Sequence, residues 1–170
     1  MARGVKVIIR EMVPEDTEET SRVNREILQD AWDKHERGFY PEVALEFDVS
    51  THSPERFLKD LTAESRFSFV AEENGRIIGL VTGMWYGDAG LGRVGTLEVH
   101  PHHQTRGVGR ALLSRACEFC RSQGCHKVTL YTLRVLMPAV NLYMKLGFVP
   151  EAYLRREWWG VDFIKMSKWL

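Results

Sequence analysis

The chain has 170 residues, of which 44% are hydrophobic and 27% are charged, and its formal net charge is zero. This size and composition are typical of one globular domain with a hydrophobic core, and we expect a single domain over residues 1–170. Because the acidic and basic residues balance, bulk charge favours neither nucleic acid nor an anionic membrane as a partner.

The apolar segments and the cysteines bear on the location of the protein. No apolar run approaches the length of a membrane span, and the apolar run over residues 7–9 is too short for a signal peptide. Three cysteines, an odd number, argue against a disulfide framework. We therefore expect a cytoplasmic location.

The N-terminal half begins with a β-prone run over residues 6–12. Pro14 and the acidic residues that follow it favour a helix reaching about residue 30. Residues 31–53 are the least regular part of the chain, with Pro41 as a breaker. We expect no long regular element there.

Two turn signals organise the next part. Ser53 followed by Pro54 is typical of an N-cap and the first position of a helix. The Asn74-Gly75 pair lies between β-prone runs over 67–73 and 76–85, and such a pair predicts a tight hairpin.

The C-terminal half alternates strands and helices. A strand over 94–99 is followed by an amphipathic helix over 108–123, which Gly124 ends. A strand over 127–132 and a short helix over 138–146, which Gly147 ends, come next. The runs over 148–155 and 161–169 form a closing hairpin. A helical crossover makes the first two of these strands parallel. This order predicts a mixed sheet with helices on both faces.

A glycine-rich turn opens the helix over 108–123. The first turn of a helix has free N–H groups and a partial positive charge, so it suits a phosphate. A P-loop needs Gly-Lys-Ser/Thr where this chain has Gly109-Arg110-Ala111, and a dinucleotide fingerprint needs glycine or alanine where it has Leu112. The pattern that remains is Gln104-x-x-Gly107-x-Gly109.

Between a strand and a helix, this pattern resembles the coenzyme A pyrophosphate loop of the GNAT superfamily of N-acetyltransferases. Leu97-x-Val99-x-Pro101 precedes it, and residues 139–148 (AVNLYMKLGF) resemble the second family signature, A-x-x-x-Y-x-K-x-G-F. The resemblance spans roughly residues 5–170 and is sharpest over 94–148.

The resemblance implies an α+β fold with a mixed, mostly antiparallel twisted sheet flanked by helices. A parallel pair of strands splays apart at its centre and admits the pantetheine arm of the cofactor. The chain departs from the family at two positions. Leu136 replaces the usual asparagine that begins the second signature, and Tyr131 stands where the ribosomal-protein alanine acetyltransferases carry glutamate.

The resemblance also implies acetyl-CoA as the acyl donor, with no metal. The backbone of Leu97 and Val99 would bind pantetheine. The pyrophosphate would be held mainly by backbone N–H groups of the loop, Gln104, Thr105, Arg106, Gly107, Val108, Gly109 and Arg110.

Two residues are catalytic candidates. Tyr143 of the second signature can donate a proton to the departing thiolate, or its ring packs and only fixes the helix. Glu98, on the strand beside the expected thioester position, can act as a general base, or it is a solvated strand residue. Both alternatives remain open at this point.

Aromatic residues in tips and irregular segments are candidates for the acceptor site, namely Trp32, Tyr40, Trp85 and Trp158. The alternatives for such residues are rim packing and a subunit contact, which leaves a homodimer open. Cys117, Cys120, Cys125 and His126 do not have the spacing of a zinc site, so we expect buried thiols and no metal.

The function predicted from the sequence is N-acetyl transfer from acetyl-CoA to a primary amine, by direct transfer in a ternary complex. The acceptor would be a small amine, an amino acid, or a peptide or protein N-terminus. The alternative is a regulatory module of the same fold that binds acyl-CoA without turnover.

Overall fold

The computed structural model describes residues 6–170, which form a seven-stranded sheet in the order β1-β2-β3-β4-β5-β7-β6. Residues 1–5, which the single-domain expectation includes, lie outside this range. The strands are β1 Ile8–Glu11, β2 Arg66–Glu73, β3 Arg76–Tyr86, β4 Leu91–Val99, β5 Lys127–Thr132, β6 Val149–Leu154 and β7 Phe163–Trp169. The α-helices are α1 Thr17–Ala31, α2 Glu42–Thr51, α3 Pro54–Leu61, α4 Val108–Ser122 and α5 Met137–Lys145.

Local turn chemistry explains most of these boundaries. Asn74 and Gly75 both have positive φ (54° and 74°), as a tight hairpin turn requires, and they join β2 to β3. The Ser53 side chain accepts a hydrogen bond from the Arg56 N–H at 3.3 Å and so caps α3. The predicted hairpin and capped helix are confirmed.

The segment over residues 31–53 is more regular than expected. Residues Trp32–Glu36 form a π-helical turn, and α2 begins directly after Pro41, whose extended backbone (φ −67°, ψ 150°) makes it the N-cap. Ala44 is the one buried residue of α2, while Val43 and Phe47 are exposed. The helix therefore lacks the apolar stripe on which a prediction from periodicity depends.

Strand β4 also begins three residues before the predicted start at residue 94, at Leu91. Gly92 lies in the strand beneath α4. A Cβ at this position would be only 2.6 Å from the Cys120 Sγ atom, so glycine is needed for close packing here.

A bulge at Gly95 determines which side chains of β4 share a face. Thr96 pairs with Thr82 and Val94 with Gly83, which leaves Gly95 as an extra residue. Side chains alternate along a strand, and one extra residue shifts the alternation. Arg93, Thr96 and Glu98 therefore lie on one face, towards α1 and α2, while Leu97 and Val99 pack against the core under α4.

The parallel pair at the centre of the sheet is splayed. Strands β4 and β5 pair only over Leu91–Arg93 and Lys127–Thr129. Beyond that point β4 continues against β3 as far as Val99, and β5 continues against β7 as far as Thr132. A gap therefore separates the C-terminal halves of β4 and β5, as the resemblance implied.

Two apolar clusters hold the sheet rigid around this gap. The larger lies under α4 and α5 and contains Phe69, Val81, Leu112, Leu113, Ala116, Cys120, Val128, Tyr143 and Met166. The smaller lies under α1 and α3 and contains Met12, Val23, Ile27, Phe57, Val70, Ile77 and Leu80. Each large apolar side chain buried in this way contributes about 1.5–3 kcal/mol.

Cys117, Cys120 and Cys125 are buried free thiols, as expected. Within residues 6–170 there is no cluster of three or more side chains suited to hold a metal ion. None of the helices in this range has both the length and the apolar character of a membrane span.

Candidate active site

Backbone groups of β4 line the gap. The His100 N–H donates to the Ile78 carbonyl at 2.9 Å, so the even-numbered residues at this end of β4 direct their backbone groups towards β3. Because backbone groups alternate in direction along an antiparallel strand, those of Leu97 and Val99 point the other way, into the gap. Leu97 presents a main-chain N–H and C=O, and Val99 a main-chain N–H, with which a strand-like ligand would pair, while the Val99 carbonyl has a partner in the loop that follows.

The glycine-rich loop lies at the mouth of the gap. The Gln104 side chain donates to the Val99 carbonyl at 3.0 Å, which anchors the loop to the end of β4. Thr105 and Gly107 have left-handed backbone conformations (φ 61° and 84°), and Gly107 is the N-cap of α4. Among the described residues, no side chain caps this helix, so its first-turn N–H groups face outward without a partner.

The two arginines of the loop differ. Arg106 forms a bidentate pair with Glu73, with Nη–Oε distances of 2.5 and 3.2 Å, and its guanidinium holds the pKa of Glu73 below the ordinary value. Arg110 is exposed on the first turn of α4. The uncapped helix end, its positive dipole and Arg110 are together suited to a pyrophosphate, and the binding of one by this loop stays a prediction.

Tyr143 approaches the gap from the α4 face of the sheet. Its side chain is buried, with its ring 6.2 Å from that of Phe148. Burial and the nearby charge of Glu98 raise the pKa of Tyr143 to about 12, so the phenol remains protonated at neutral pH. The hydroxyl makes no hydrogen bond to any described residue and is free to donate one to a ligand.

Glu98 approaches from the opposite face. It is half-buried and accepts a hydrogen bond from the Asn24 side chain of α1. Burial, reinforced by the negative charges of Asp48 and Glu36, raises the pKa of Glu98 to about 8, and the Asn24 hydrogen bond opposes part of that rise. A carboxyl that titrates near neutral pH is suited to accept a proton from an amine.

His52 lies beside Thr96 on the same face of β4 and was not predicted from the sequence. Its Nδ1 is 2.7 Å from the Asp48 carbonyl oxygen, and its Nε2 is 2.9 Å from the Thr96 hydroxyl. A carbonyl can only accept, so Nδ1 carries the proton and Thr96 donates to Nε2. Burial lowers the pKa of His52, which keeps the imidazole neutral.

A cavity of about 360 Å³ opens on this face of β4, beside Thr96. Its aromatic lining is Tyr40, Phe47, Phe57, Tyr131, Trp158, Trp159 and Phe163. Of the four aromatic residues predicted for the acceptor site, Tyr40 and Trp158 therefore line one cavity. Trp32 is buried elsewhere, and Trp85 packs on the Phe119 ring at 5.1 Å on the α4 side.

The geometry thus brings Glu98, Tyr143, Leu97 and Val99 to the gap, with the loop at its mouth and the aromatic cavity beside it. The sequence missed Asn24, although its position offered a signal. Asn24 is buried on the apolar face of α1, one residue from Val23 and one turn from Ile27 and Leu28. A polar residue within an apolar stripe usually has a specific partner.

Known proteins share sequence and fold with this chain. Residues 24–148 match the model of the Acetyltransferase (GNAT) family. N-acetyltransferase 8 of Mus musculus is 31% identical over 106 residues, which are 60% of this chain and 43% of that protein. Glucosamine 6-phosphate N-acetyltransferase of Trypanosoma brucei brucei is 34% identical over 85 residues, which are 47% of this chain and 56% of that protein.

Among solved structures, the PaiA N-acetyltransferase of Thermoplasma acidophilum in complex with coenzyme A superimposes with a TM-score of 0.81 and 24% identity, over 97% of this chain and 99% of that one. At this identity the likeness concerns the fold. The chain spans about half the length of the two curated relatives named above. The family match covers most of the chain and includes both the loop and the second signature, so the chain belongs to the GNAT acetyltransferase family.

Proposed function

We propose that the chain is an acetyl-CoA-dependent N-acetyltransferase that moves an acetyl group directly to a primary amine in a ternary complex. The observation that carries this proposal is the pair formed by Glu98 and Tyr143. A carboxyl with a pKa of about 8 and a phenol with a pKa of about 12 face one gap from opposite sides of the sheet. Such a pair can serve as the base and the acid of an acyl transfer.

Acetyl-CoA would supply an acetyl group activated as a thioester. The first turn of α4 and Arg110 would hold its pyrophosphate, and the backbone groups of Leu97 and Val99 would align its pantetheine arm. A backbone N–H of this strand would polarise the thioester carbonyl. The described residues fit the cofactor because the first-turn N–H groups of α4 and the gap-facing main-chain groups of Leu97 are unpartnered, and these groups follow one another from the mouth of the gap inward.

The proton balance assigns a role to each side chain. An acceptor ammonium loses two protons as it becomes an amide, and the departing thiolate gains one. Glu98 takes one proton from the nitrogen, directly or through a water, and Tyr143 gives one to the sulfur. The second proton of the nitrogen restores the phenol, and the proton on Glu98 passes to solvent. The net products are the amide, the thiol of coenzyme A and one proton released to solvent.

The cavity beside Thr96 would receive the acceptor. Its aromatic walls, including Tyr40 and Trp158, suit the apolar part of a small molecule, and the Asp48 carboxylate nearby favours a cationic amine. The name of one relative, glucosamine 6-phosphate N-acetyltransferase, specifies an amino-sugar phosphate as the substrate of that protein, which is a small amine. The buried free thiols fit the cytoplasmic location that we expect.

The test is a thiol-release screen of the purified protein with acetyl-CoA and a panel of small amines, amino acids and peptides. Coenzyme A release that depends on the amine, with the acetylated amine identified by mass spectrometry, would support the proposal. Binding of acetyl-CoA without release in the presence of any amine would instead favour the second candidate, a regulatory module that binds acyl-CoA. The presence of Tyr143 with a free hydroxyl argues for the enzyme.

A further inference from the structure

Three arginines line the aromatic cavity, and one of them has no acidic partner. Arg56 and Arg66 both pair with Asp60, at 3.3 and 3.2 Å. Arg93 forms neither a hydrogen bond nor an ion pair through its side chain with any part of the chain that the structure describes. A guanidinium enclosed by a cavity wall is usually matched by an anion, because it has five donors in a fixed fork.

The position of Arg93 directs it towards the acceptor. It is the last residue of β4 that pairs with β5, at the point where the gap begins. The bulge at Gly95 places Arg93 on the same face of β4 as Thr96 and Glu98. The guanidinium carbon of Arg93 lies 4.8 Å from the centre of the Tyr131 ring. This cation–π contact orients the plane of the guanidinium and leaves its N–H groups available to a ligand.

The other side of the same site is negative. Asp48 and Glu36 lie close enough to Glu98 to raise its pKa, and neither of their carboxylates has a cationic partner among residues 6–170. These groups surround the place where the acceptor nitrogen would be. The site is therefore bipolar, with carboxylates on the side of α1 and α2 and a guanidinium on β4.

We propose that Arg93 binds an anionic group of the acceptor, a carboxylate or a phosphate, so that the substrate is an amine that also carries a negative charge. This rests on the proposed function, because it assigns the substrate class of that same site. A polycation such as spermidine would bring a positive charge to Arg93 and would be rejected by it. An amine that carries an anion satisfies both ends of the site.

The aromatic wall of the cavity has two features of a preformed ligand site. The rings of Phe47 and Trp159 meet edge to face at 5.5 Å, and Trp159 has a left-handed backbone (φ 59°), which a side chain of this size rarely adopts. Residues held in such conformations cluster at ligand sites. The two rings would exclude water from the ion pair at Arg93 and so strengthen it.

The experiment uses matched probes that differ by one anionic group, with the protein saturated with coenzyme A. Binding of glucosamine 6-phosphate is compared with glucosamine, and binding of phenylalanine with phenethylamine, by calorimetry. Thiol release with acetyl-CoA is measured for the same probes and for spermidine. The variants are Arg93→Gln, Arg93→Lys and a control, Arg76→Gln, which removes an exposed arginine from the far end of β3.

We expect the wild type to favour the anionic member of at least one pair by about tenfold or more, as a charge-assisted bidentate contact predicts. A preference in the sugar pair alone identifies phosphate, and a preference in the amino-acid pair alone identifies carboxylate. Arg93→Gln should abolish the preference, Arg93→Lys should retain part of it, and Arg76→Gln should leave it intact.

Two results would overturn the proposal while leaving the proposed function standing. One is equal or weaker binding of the anionic probes by a wild type that still binds coenzyme A. The other is a preference that survives in Arg93→Gln. A wild type that does not bind coenzyme A would instead refute the proposed function itself.

Discussion

The Glu98 carboxyl makes the dependence of the rate on pH a sharp test of the proposed mechanism. With a pKa of about 8, it is ionised in about 10% of molecules at pH 7, about 50% at pH 8 and about 90% at pH 9. If the ionised form is the base, kcat/KM should rise about tenfold from pH 7 to pH 9, with a midpoint near pH 8.

Two substitutions separate this titration from that of the acceptor amine. Glu98→Gln should lower kcat/KM about a hundredfold at pH 8 and leave only the ammonium titration in the profile. Asp48→Asn removes a negative charge that raises the pKa of Glu98, so it should move the midpoint to lower pH. Asp33→Asn is the matched control, because Asp33 is exposed and pairs with Arg37.

The assay is thiol release at saturating acetyl-CoA between pH 6 and pH 9.5 with one amine throughout. The assignment of Glu98 as the base would fail if the rise in kcat/KM with a midpoint near pH 8 persisted unchanged in Glu98→Gln. It would also fail if Asp48→Asn and Asp33→Asn gave the same midpoint as the wild type.

Three further predictions follow from individual contacts. Tyr143→Phe should lower kcat about a hundredfold while leaving the calorimetric Kd for acetyl-CoA nearly unchanged, and equal turnover would show that the phenol is not the acid. Gly92→Ala should lower the free energy of unfolding in urea by about 1–3 kcal/mol, because its Cβ would be 2.6 Å from the Cys120 Sγ atom, whereas Gly87→Ala meets open space and should be neutral. The lowered pKa of His52 means that the unfolded chain binds more protons than the folded protein just below the ordinary value of 6.5, so stability should fall as the pH decreases through that window. His52→Gln should flatten this slope, and an unchanged slope would count against a buried, neutral imidazole.

Much of the fold could be predicted because it is encoded in short segments. The Asn74-Gly75 turn, the Ser53 cap and the apolar periodicity of the helix over 108–122 each determine a local structure without help from distant residues. The loop and the second signature were recognised because they depend on glycines and a tyrosine at fixed spacing.

The rest depended on contacts between residues far apart in the chain. The bulge at Gly95 shifts the alternation of β4, and it is this shift that places Thr96 and Glu98 on the face of Arg93. The pKa of Glu98 depends on Asn24, Glu36 and Asp48, which come from α1, the π-helical turn and α2. No pattern within one segment carries that information.

The acceptor cavity shows the same limit. Tyr40 and Trp158 line one cavity, but Trp32 and Trp85, which the same reasoning grouped with them, pack elsewhere. His52 was missed because its role depends on Thr96, which is distant in sequence and adjacent in space.

The most direct test of the central claim is calorimetric titration of acetyl-CoA into the wild type and two variants, Gly107→Glu and Gly124→Glu. Both glycines have positive φ (84° and 79°) and open space around them, and they lie at opposite ends of α4. We predict tight binding of one acetyl-CoA by the wild type and by Gly124→Glu. The negative side chain in Gly107→Glu should abolish binding at the pyrophosphate position. Equal affinity in both variants, or no binding by the wild type, would contradict the account.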